Sequence, residues 1–291
     1  MDKVRMLLTI IMLLTSLTAE AENCINVSVQ GNGKAIILLP GLMSDGAVWQ
    51  ETEQYLAKNY QVHTVSIAGF ANEAPCLAAN NILPQVKEDL FSYIESKKLQ
   101  KPILMGHSLG AFLSYSLAIE HENLFSAIIA VDGLPYVAPI FTRTSATKPK
   151  DMLEKAQFIR NMYLQATMQQ MADMAKGSVN IQATSLENQQ TIIAMAKASD
   201  QATVASAIHY LLVNDLRKPL KKIETPLLLI AAQGGFLDEK SRQFATSLYQ
   251  QQIEYVQNAK LITNADVLHF IMWDDNPWLM AETDAFLKGV L

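Results

Sequence analysis

The sequence predicts an α/β fold in which helices flank a mostly parallel sheet and a helical cap is inserted between two strands. Short apolar runs alternate with amphipathic stretches over most of the 291 residues, a pattern typical of parallel strands joined by crossover helices. Residues 133–225 interrupt this alternation, because helical patterns alone occur there. Half of the residues are apolar and 18% are charged, so the chain can bury a large core and is not a disordered protein.

Six strands are expected, because six short and mainly apolar runs are bounded by polar residues, glycine or proline. Near-continuous apolar runs of this kind indicate strands that are covered on both faces. In chain order, the predicted strands span residues 34–39, 61–67, 102–105, 127–131, 226–232 and 260–263.

Helices are expected between these strands. Residues 84–98 illustrate the signal, because Val86, Leu90 and Ile94 fall on one helical face and Pro84 occupies the first turn. The other predicted helices of the core are residues 48–58, 109–120, 239–250 and 277–287, and those of the cap are residues 150–174 and 203–214.

These elements divide the chain into a core formed by residues 22–132 and 226–291, and a cap formed by residues 133–225. The cap is rich in methionine, a flexible side chain that fills irregular gaps. Its methionines either pack between the cap helices or form a soft apolar wall over a substrate pocket. They are Met152, Met162, Met168, Met171, Met174 and Met195.

The first 21 residues have the pattern of a secretory signal peptide. Lys3 and Arg5 precede an apolar stretch over residues 6–14, and Ala19-Glu20-Ala21 is a small-residue cleavage site. The apolar stretch is shorter than a membrane-spanning helix requires, and no later stretch reaches the necessary length of about 18 residues. We therefore expect export to the periplasm or the medium, with no stable membrane insertion.

The only two cysteines, Cys24 and Cys76, lie after the predicted cleavage site. An even number of cysteines in an exported protein favours a disulfide. We expect a Cys24–Cys76 bridge, although two unpaired thiols remain the alternative.

The charge pattern and motifs exclude several classes of function. The formal net charge is −5 and no basic run is present, which argues against nucleic acid as a partner. The chain has no dinucleotide-binding or Walker motif, and its histidines and cysteines lack zinc-site spacing. No cofactor or metal is expected.

The clearest chemical signal is Gly106-His107-Ser108-Leu109-Gly110, a G-x-S-x-G motif. It follows an apolar strand and precedes a helical pattern, which is the context of a nucleophile elbow. The two glycines allow a sharp turn, and the serine projects from it. We therefore predict that Ser108 is a catalytic nucleophile; the alternative is a helix-capping serine.

With this motif the chain resembles the α/β-hydrolase superfamily over nearly all of its predicted mature length. The stretch at residues 36–42, which ends Pro40-Gly41-Leu42, is similar to the oxyanion strand and loop of the family. The resemblance implies that the backbone N–H groups of Leu42 and Leu109 form an oxyanion hole.

The catalytic base must be one of five histidines. His269 follows the last predicted strand and comes last in the chain, where the superfamily places its catalytic histidine. By position, His63 is expected in the core, His107 inside the elbow with its side chain directed away from the serine, and His121 towards solvent. His209, in the cap, could line a pocket.

The triad acid is the least determined element. Superfamily members usually place an aspartate a few residues beyond the strand that here spans residues 226–232, but Gly235 holds that place. Asp238 lies three residues further on and could instead cap the next helix. Asp132 follows the strand at residues 127–131, where some lipases and dehalogenases have their acid. We favour Asp132, with Asp238 as the alternative.

The predicted function is an exported serine hydrolase that cleaves a small-molecule carboxylic ester through an acyl-enzyme. An amidase, an aminopeptidase-like enzyme or a C–C bond hydrolase could use the same residues. Because the acid is ambiguous, a non-catalytic binding protein of this fold is the competing hypothesis.

Overall fold

The computed structural model describes residues 23–291 and confirms an α/β fold with a mostly parallel sheet. Seven strands form one sheet in the order β1-β3-β2-β4-β5-β6-β7, and only the edge strand β1 is antiparallel to its neighbour. The strands are β1 (Ile25–Gln30), β2 (Lys34–Leu39), β3 (Tyr60–Ile67), β4 (Ile103–His107), β5 (Ala127–Val131), β6 (Leu227–Ala232) and β7 (Ala259–Asn264).

Core helices cover both faces of the sheet, because neighbouring strand residues point to opposite sides. In β2, Ile37 and Leu39 pack in one apolar cluster, and Ile36 and Leu38 pack in another. The helices outside the cap are α1 (Gln50–Leu56), α2 (Ile82–Ser96), α3 (Leu109–Glu120), α9 (Glu239–Gln252), α10 (Ile271–Asp274) and α11 (Asn276–Val290).

Between β5 and β6 the chain forms helices and no strand. The predicted helix at residues 150–174 is wrong in one respect, because it divides into two at Thr167. The side chain of Thr167 accepts a hydrogen bond from Gln170 N–H, and Gln170 reciprocates, which is a capping box that starts a new helix. The helices here are α4 (Ala138–Thr142), α5 (Pro149–Leu164), α6 (Met168–Lys176), α7 (Leu186–Ala198) and α8 (Gln201–Val213).

A disulfide joins Cys24 to Cys76, as predicted, with their Cα atoms 5.4 Å apart. It ties the start of β1 to the segment between β3 and α2. The predicted signal peptide, residues 1–21, lies outside the described residues. Within residues 23–291, no helix combines the length and the apolar character needed to cross a bilayer.

Candidate active site

Ser108 occupies the turn between β4 and α3, and its backbone is strained. Its φ of 52° and ψ of −112° are sparsely populated for a residue with a side chain. The flanking glycines permit this turn, because a Cβ on Gly106 would lie 2.3 Å from the backbone of Gly110, and a Cβ on Gly110 would lie 2.2 Å from Leu39 O. The strand, turn and helix therefore have the geometry of a nucleophile elbow.

The hydrogen bonds of the sheet continue past the strand ends and bring Ser108 and Asp132 to the same edge. Ser108 N–H donates to Val131 O at 3.0 Å, and Asp132 N–H donates to Ile230 O at 2.7 Å. Asp132 also has a positive φ, of 44°. Its side chain turns back, so that Oδ1 accepts a hydrogen bond from Ala232 N–H at 2.9 Å. The backbone of two strands therefore fixes the carboxylate.

His269 donates a hydrogen bond from Nδ1 to Asp132 Oδ2 at 2.6 Å. A carboxylate only accepts, so Nδ1 carries the proton and the lone pair of Nε2 is available to accept another. Both side chains are mostly buried, with 29% of His269 and 14% of Asp132 exposed. Ser108, Asp132 and His269 line one cavity.

Hydrogen bonds to three different segments hold the loop that carries His269. Gly234 N–H donates to Val267 O at 3.0 Å, and Phe270 N–H donates to Gln182 O at 2.8 Å, which links the loop to the cap. Leu268 N–H donates to Asp274 Oδ2 at 2.8 Å. The histidine ring therefore projects from a restrained backbone.

The side chain of His107 also holds the loop that carries His269, a role that its position in the elbow motif did not predict. Its Nε2 lies 3.0 Å from His269 O and, facing a carbonyl, donates to it. Its ring packs against those of His269 and Phe270. Burial, and then the neighbouring His269, lower the pKa of His107 well below its ordinary value, and the hydrogen bond to the backbone opposes this only partly. His107 is therefore neutral, with its proton on Nε2.

The segment after β2 lies against the elbow, because a Cβ on Gly41 would lie 3.3 Å from the Cβ of Ser108. Ser44 N–H donates to Gly41 O at 3.2 Å, closing a turn in which Met43 has a φ of 59° and Leu42 holds the second position. The N–H of the second residue takes no part in the hydrogen bond of such a turn. Leu109 N–H lies at the first position of α3, where helix geometry supplies no acceptor.

The cavity has a volume of about 960 Å³, which suits a medium-sized ligand. Its wall is mainly apolar and is formed by the cap, the β6–α9 segment and α9. Sequence reasoning missed these residues because they come from separate segments. The larger apolar side chains that these segments contribute to the wall include Ile140, Phe141, Ile181, Phe236, Leu237, Phe244 and Leu248.

Asp238 lines the cavity but caps a helix, and the cap methionines lie outside the cavity. Asp238 caps α9, where its carboxylate accepts hydrogen bonds from Ser241 N–H and Oγ–H at 2.9 and 2.7 Å. These contacts lower its pKa and leave it without a bond to His269. None of the six cap methionines lines the large cavity; Met174 and Met195 line a small neighbouring pocket.

The remaining histidines have structural surroundings. His63 is buried in β3 and hydrogen bonded to Tyr93 and Gln61. His121 was predicted to face solvent, but its ring is partly covered because it stacks on Phe91. His209 does not line the cavity. Among residues 23–291, no group of three or more histidine, cysteine, aspartate or glutamate side chains could hold a metal ion.

Comparison with known proteins identifies the fold independently. A family model described as the alpha/beta hydrolase fold matches residues 34–287. A pimeloyl-[acyl-carrier protein] methyl ester esterase of Vibrio atlanticus is 24% identical over 204 residues, which cover 69% of this chain and 76% of the relative.

Solved structures of low sequence identity share this architecture. A thermophilic esterase from Thermogutta terrifontis superposes with a TM-score of 0.70 at 15% identity, covering 91% of this chain and 93% of the esterase. The enol-lactonase from Burkholderia xenovorans gives a TM-score of 0.69 at 17% identity, covering 91% and 96%.

Proposed function

Since the chain belongs to the α/β-hydrolase family, we propose that it is a serine hydrolase that cleaves carboxylic esters through an acyl-enzyme. The observation that carries the proposal is the hydrogen bond between His269 Nδ1 and Asp132 Oδ2 at 2.6 Å, beside a serine on a strained elbow. An aspartate, a histidine and a serine in this relation form a charge-stabilised base and its nucleophile.

In the proposed reaction, His269 Nε2 takes the proton of Ser108 Oγ while Oγ attacks the ester carbonyl carbon. The N–H groups of Leu42 and Leu109 stabilise the oxyanion that forms. The protonated His269, stabilised by Asp132, then gives its proton to the leaving alcohol. Water repeats the sequence on the acyl-enzyme and releases the carboxylic acid.

The chemistry of the cavity favours an ester with an apolar acyl or alcohol part. Its walls are rich in aromatic and aliphatic side chains, and the carbonyl group would lie at the polar end formed by Ser108 and His269. That relatives of the chain are named as an esterase and a lactonase supports ester chemistry.

A fluorophosphonate probe tests the proposed nucleophile. We expect covalent labelling of the wild type, and no labelling of Ser108→Ala with an unchanged melting temperature. A set of p-nitrophenyl esters from acetyl to dodecanoyl, with matched amides as controls, then tests the bond. Hydrolysis of amides faster than esters would establish an amidase. A folded wild type that neither reacts with the probe nor hydrolyses any substrate would favour the binding protein.

We also propose that the protein is exported. The signal-like pattern over residues 1–21 and the disulfide between Cys24 and Cys76 support this, because disulfides persist in oxidising compartments. Fractionation of expressing bacterial cells, followed by intact-mass measurement, should give a periplasmic or secreted chain that begins near Glu22. Recovery of the full-length chain in the cytoplasm alone would contradict export.

A further inference from the structure

Two basic side chains that line the large cavity, Arg143 and Lys240, have no hydrogen-bond or ion-pair partner among the described residues. Histidines apart, four of its lining residues are acidic or basic: Asp132, Arg143, Asp238 and Lys240. Both oxygens of each aspartate accept hydrogen bonds from the protein. In the described part of the chain, the side chains of Arg143 and Lys240 form neither a hydrogen bond nor an ion pair. The lining charges that remain free to pair with a ligand are therefore the two basic ones, because the oxygens of both carboxylates already accept hydrogen bonds.

Backbone conformation is a second observation that links Arg143 to the candidate active site. Eight non-glycine residues among those described have a positive φ, and four of them line this one cavity: Met43, Ser108, Asp132 and Arg143. Arg143, with a φ of 55°, ends α4 in the left-handed region. That conformation costs a residue with a Cβ free energy, and such residues cluster at binding and catalytic sites.

Lys240 approaches the cavity from another element. It lies in the first turn of α9, whereas Arg143 ends α4 in the cap, and both side chains are exposed. Most of the other lining residues are apolar, with Phe141 two residues before Arg143 and Phe244 one turn after Lys240. A ligand that satisfies both parts of the cavity has an apolar body and an anionic end.

We propose that Arg143 and Lys240 form a subsite for the anionic distal group, a carboxylate or a phosphate, of an ester whose apolar chain occupies the cavity. The guanidinium can bind either group through paired hydrogen bonds, and the ammonium adds a point charge. This inference rests on the proposed esterase function.

Matched substrates test the subsite. They are three methyl esters whose acyl chains have equal length and end in a methyl group, a carboxylate or a phosphate. The wild type should have the higher kcat/KM for one or both anionic esters, and this preference should fall as sodium chloride rises from 50 to 500 mM because exposed charges are screened. The preferred anionic ester then distinguishes carboxylate from phosphate.

The variants are Arg143→Gln, Lys240→Gln and their combination. Because both cations are exposed, each substitution should lower kcat/KM for the preferred anionic ester more than kcat/KM for the methyl-ended ester, which reduces the preference by about threefold, and by about tenfold in the double variant. Lys155→Gln is the matched control: it removes the same charge from an exposed cap residue that does not line the cavity, and it should leave the preference unchanged.

A wild type that hydrolyses the three esters equally, or a double variant that keeps the preference, would overturn the subsite while leaving the esterase proposal intact. If no ester is hydrolysed, the esterase proposal fails, and calorimetry with the free dicarboxylate and the free phosphate-ended carboxylic acid tests the subsite alone. Equal affinity in the wild type and the double variant would then overturn it.

Discussion

Replacing Asp132 with asparagine should slow ester hydrolysis severely without unfolding the protein. The structure dictates how the amide would orient. Ala232 N–H, which is 2.9 Å from Oδ1, can only donate, so the amide oxygen must face it. The amide NH₂ group then faces His269 Nδ1, where Oδ2 now accepts at 2.6 Å.

An NH₂ group at that position forces Nδ1 to accept and moves the ring proton to Nε2. In that tautomer Nε2 cannot take the proton of Ser108, and no carboxylate stabilises the imidazolium. In serine proteases the equivalent change lowers kcat by about 10⁴. His269 is 29% exposed, so water compensates in part. We expect a loss of about 10³, which corresponds to about 4 kcal/mol of transition-state stabilisation.

The assay is steady-state hydrolysis of a p-nitrophenyl ester, with thermal unfolding measured on the same samples. Asp238→Asn is the matched control: asparagine caps a helix about as well as aspartate, so kcat should stay within about twofold of the wild type. The tautomer argument is refuted if Asp132→Asn retains more than about a tenth of the wild-type kcat. An equal loss in both variants, with both still folded, would also refute it.

Three further predictions concern the support of the site, its walls and the fold. The amide nitrogen of glutamine can reach the place of His107 Nε2 whereas that of asparagine cannot, so His107→Asn should lower kcat by roughly 10- to 100-fold and His107→Gln by much less; equal losses would show that ring packing matters and the hydrogen bond to His269 O does not. Phe141→Ala should slow hydrolysis of octanoyl esters more than that of acetyl esters, whereas Met168→Ala, which is exposed and off the cavity, should leave the chain-length profile unchanged; a shifted profile in the methionine variant would contradict this assignment. Replacing Cys24 and Cys76 together with serine opens a loop with a sequence separation of 52 and should lower the free energy of unfolding by about 4 kcal/mol in urea titrations; a loss below about 1 kcal/mol would show that the bridge adds little to stability.

Local signals were sufficient to predict much of the fold. The strands of the sheet interior are nearly continuous apolar runs, and the predicted ranges 34–39 and 127–131 coincide with β2 and β5. The edge strand β1 has mostly exposed residues and therefore carries no such signal. The break between α5 and α6 depends on one capping box at Thr167, which a helical pattern on either side conceals.

The candidate site was predictable only where one segment carries its signal. The elbow around Ser108 is a contiguous motif, and His269 follows from chain order within the family. The choice between Asp132 and Asp238 depends on the geometry of two strand ends, which no single segment encodes. The link from His107 to His269 O joins residues separated by 162 positions, and the cavity wall combines the cap with the β6–α9 segment, so neither had a local signature.

The anchoring of Asp132 by Ala232 N–H has a consequence for how this enzyme could be altered. In relatives that place the acid after β6, that segment must keep one conformation for catalysis. Here Gly235, Phe236 and Leu237 line the cavity without holding the proposed acid. Substitutions at these three positions can therefore reshape the pocket, whereas the backbone at Ala232 and Gly234 must stay in place, because their N–H groups hold Asp132 and the His269 loop. A library designed to change specificity should retain the most active variants when it is confined to residues 235–237.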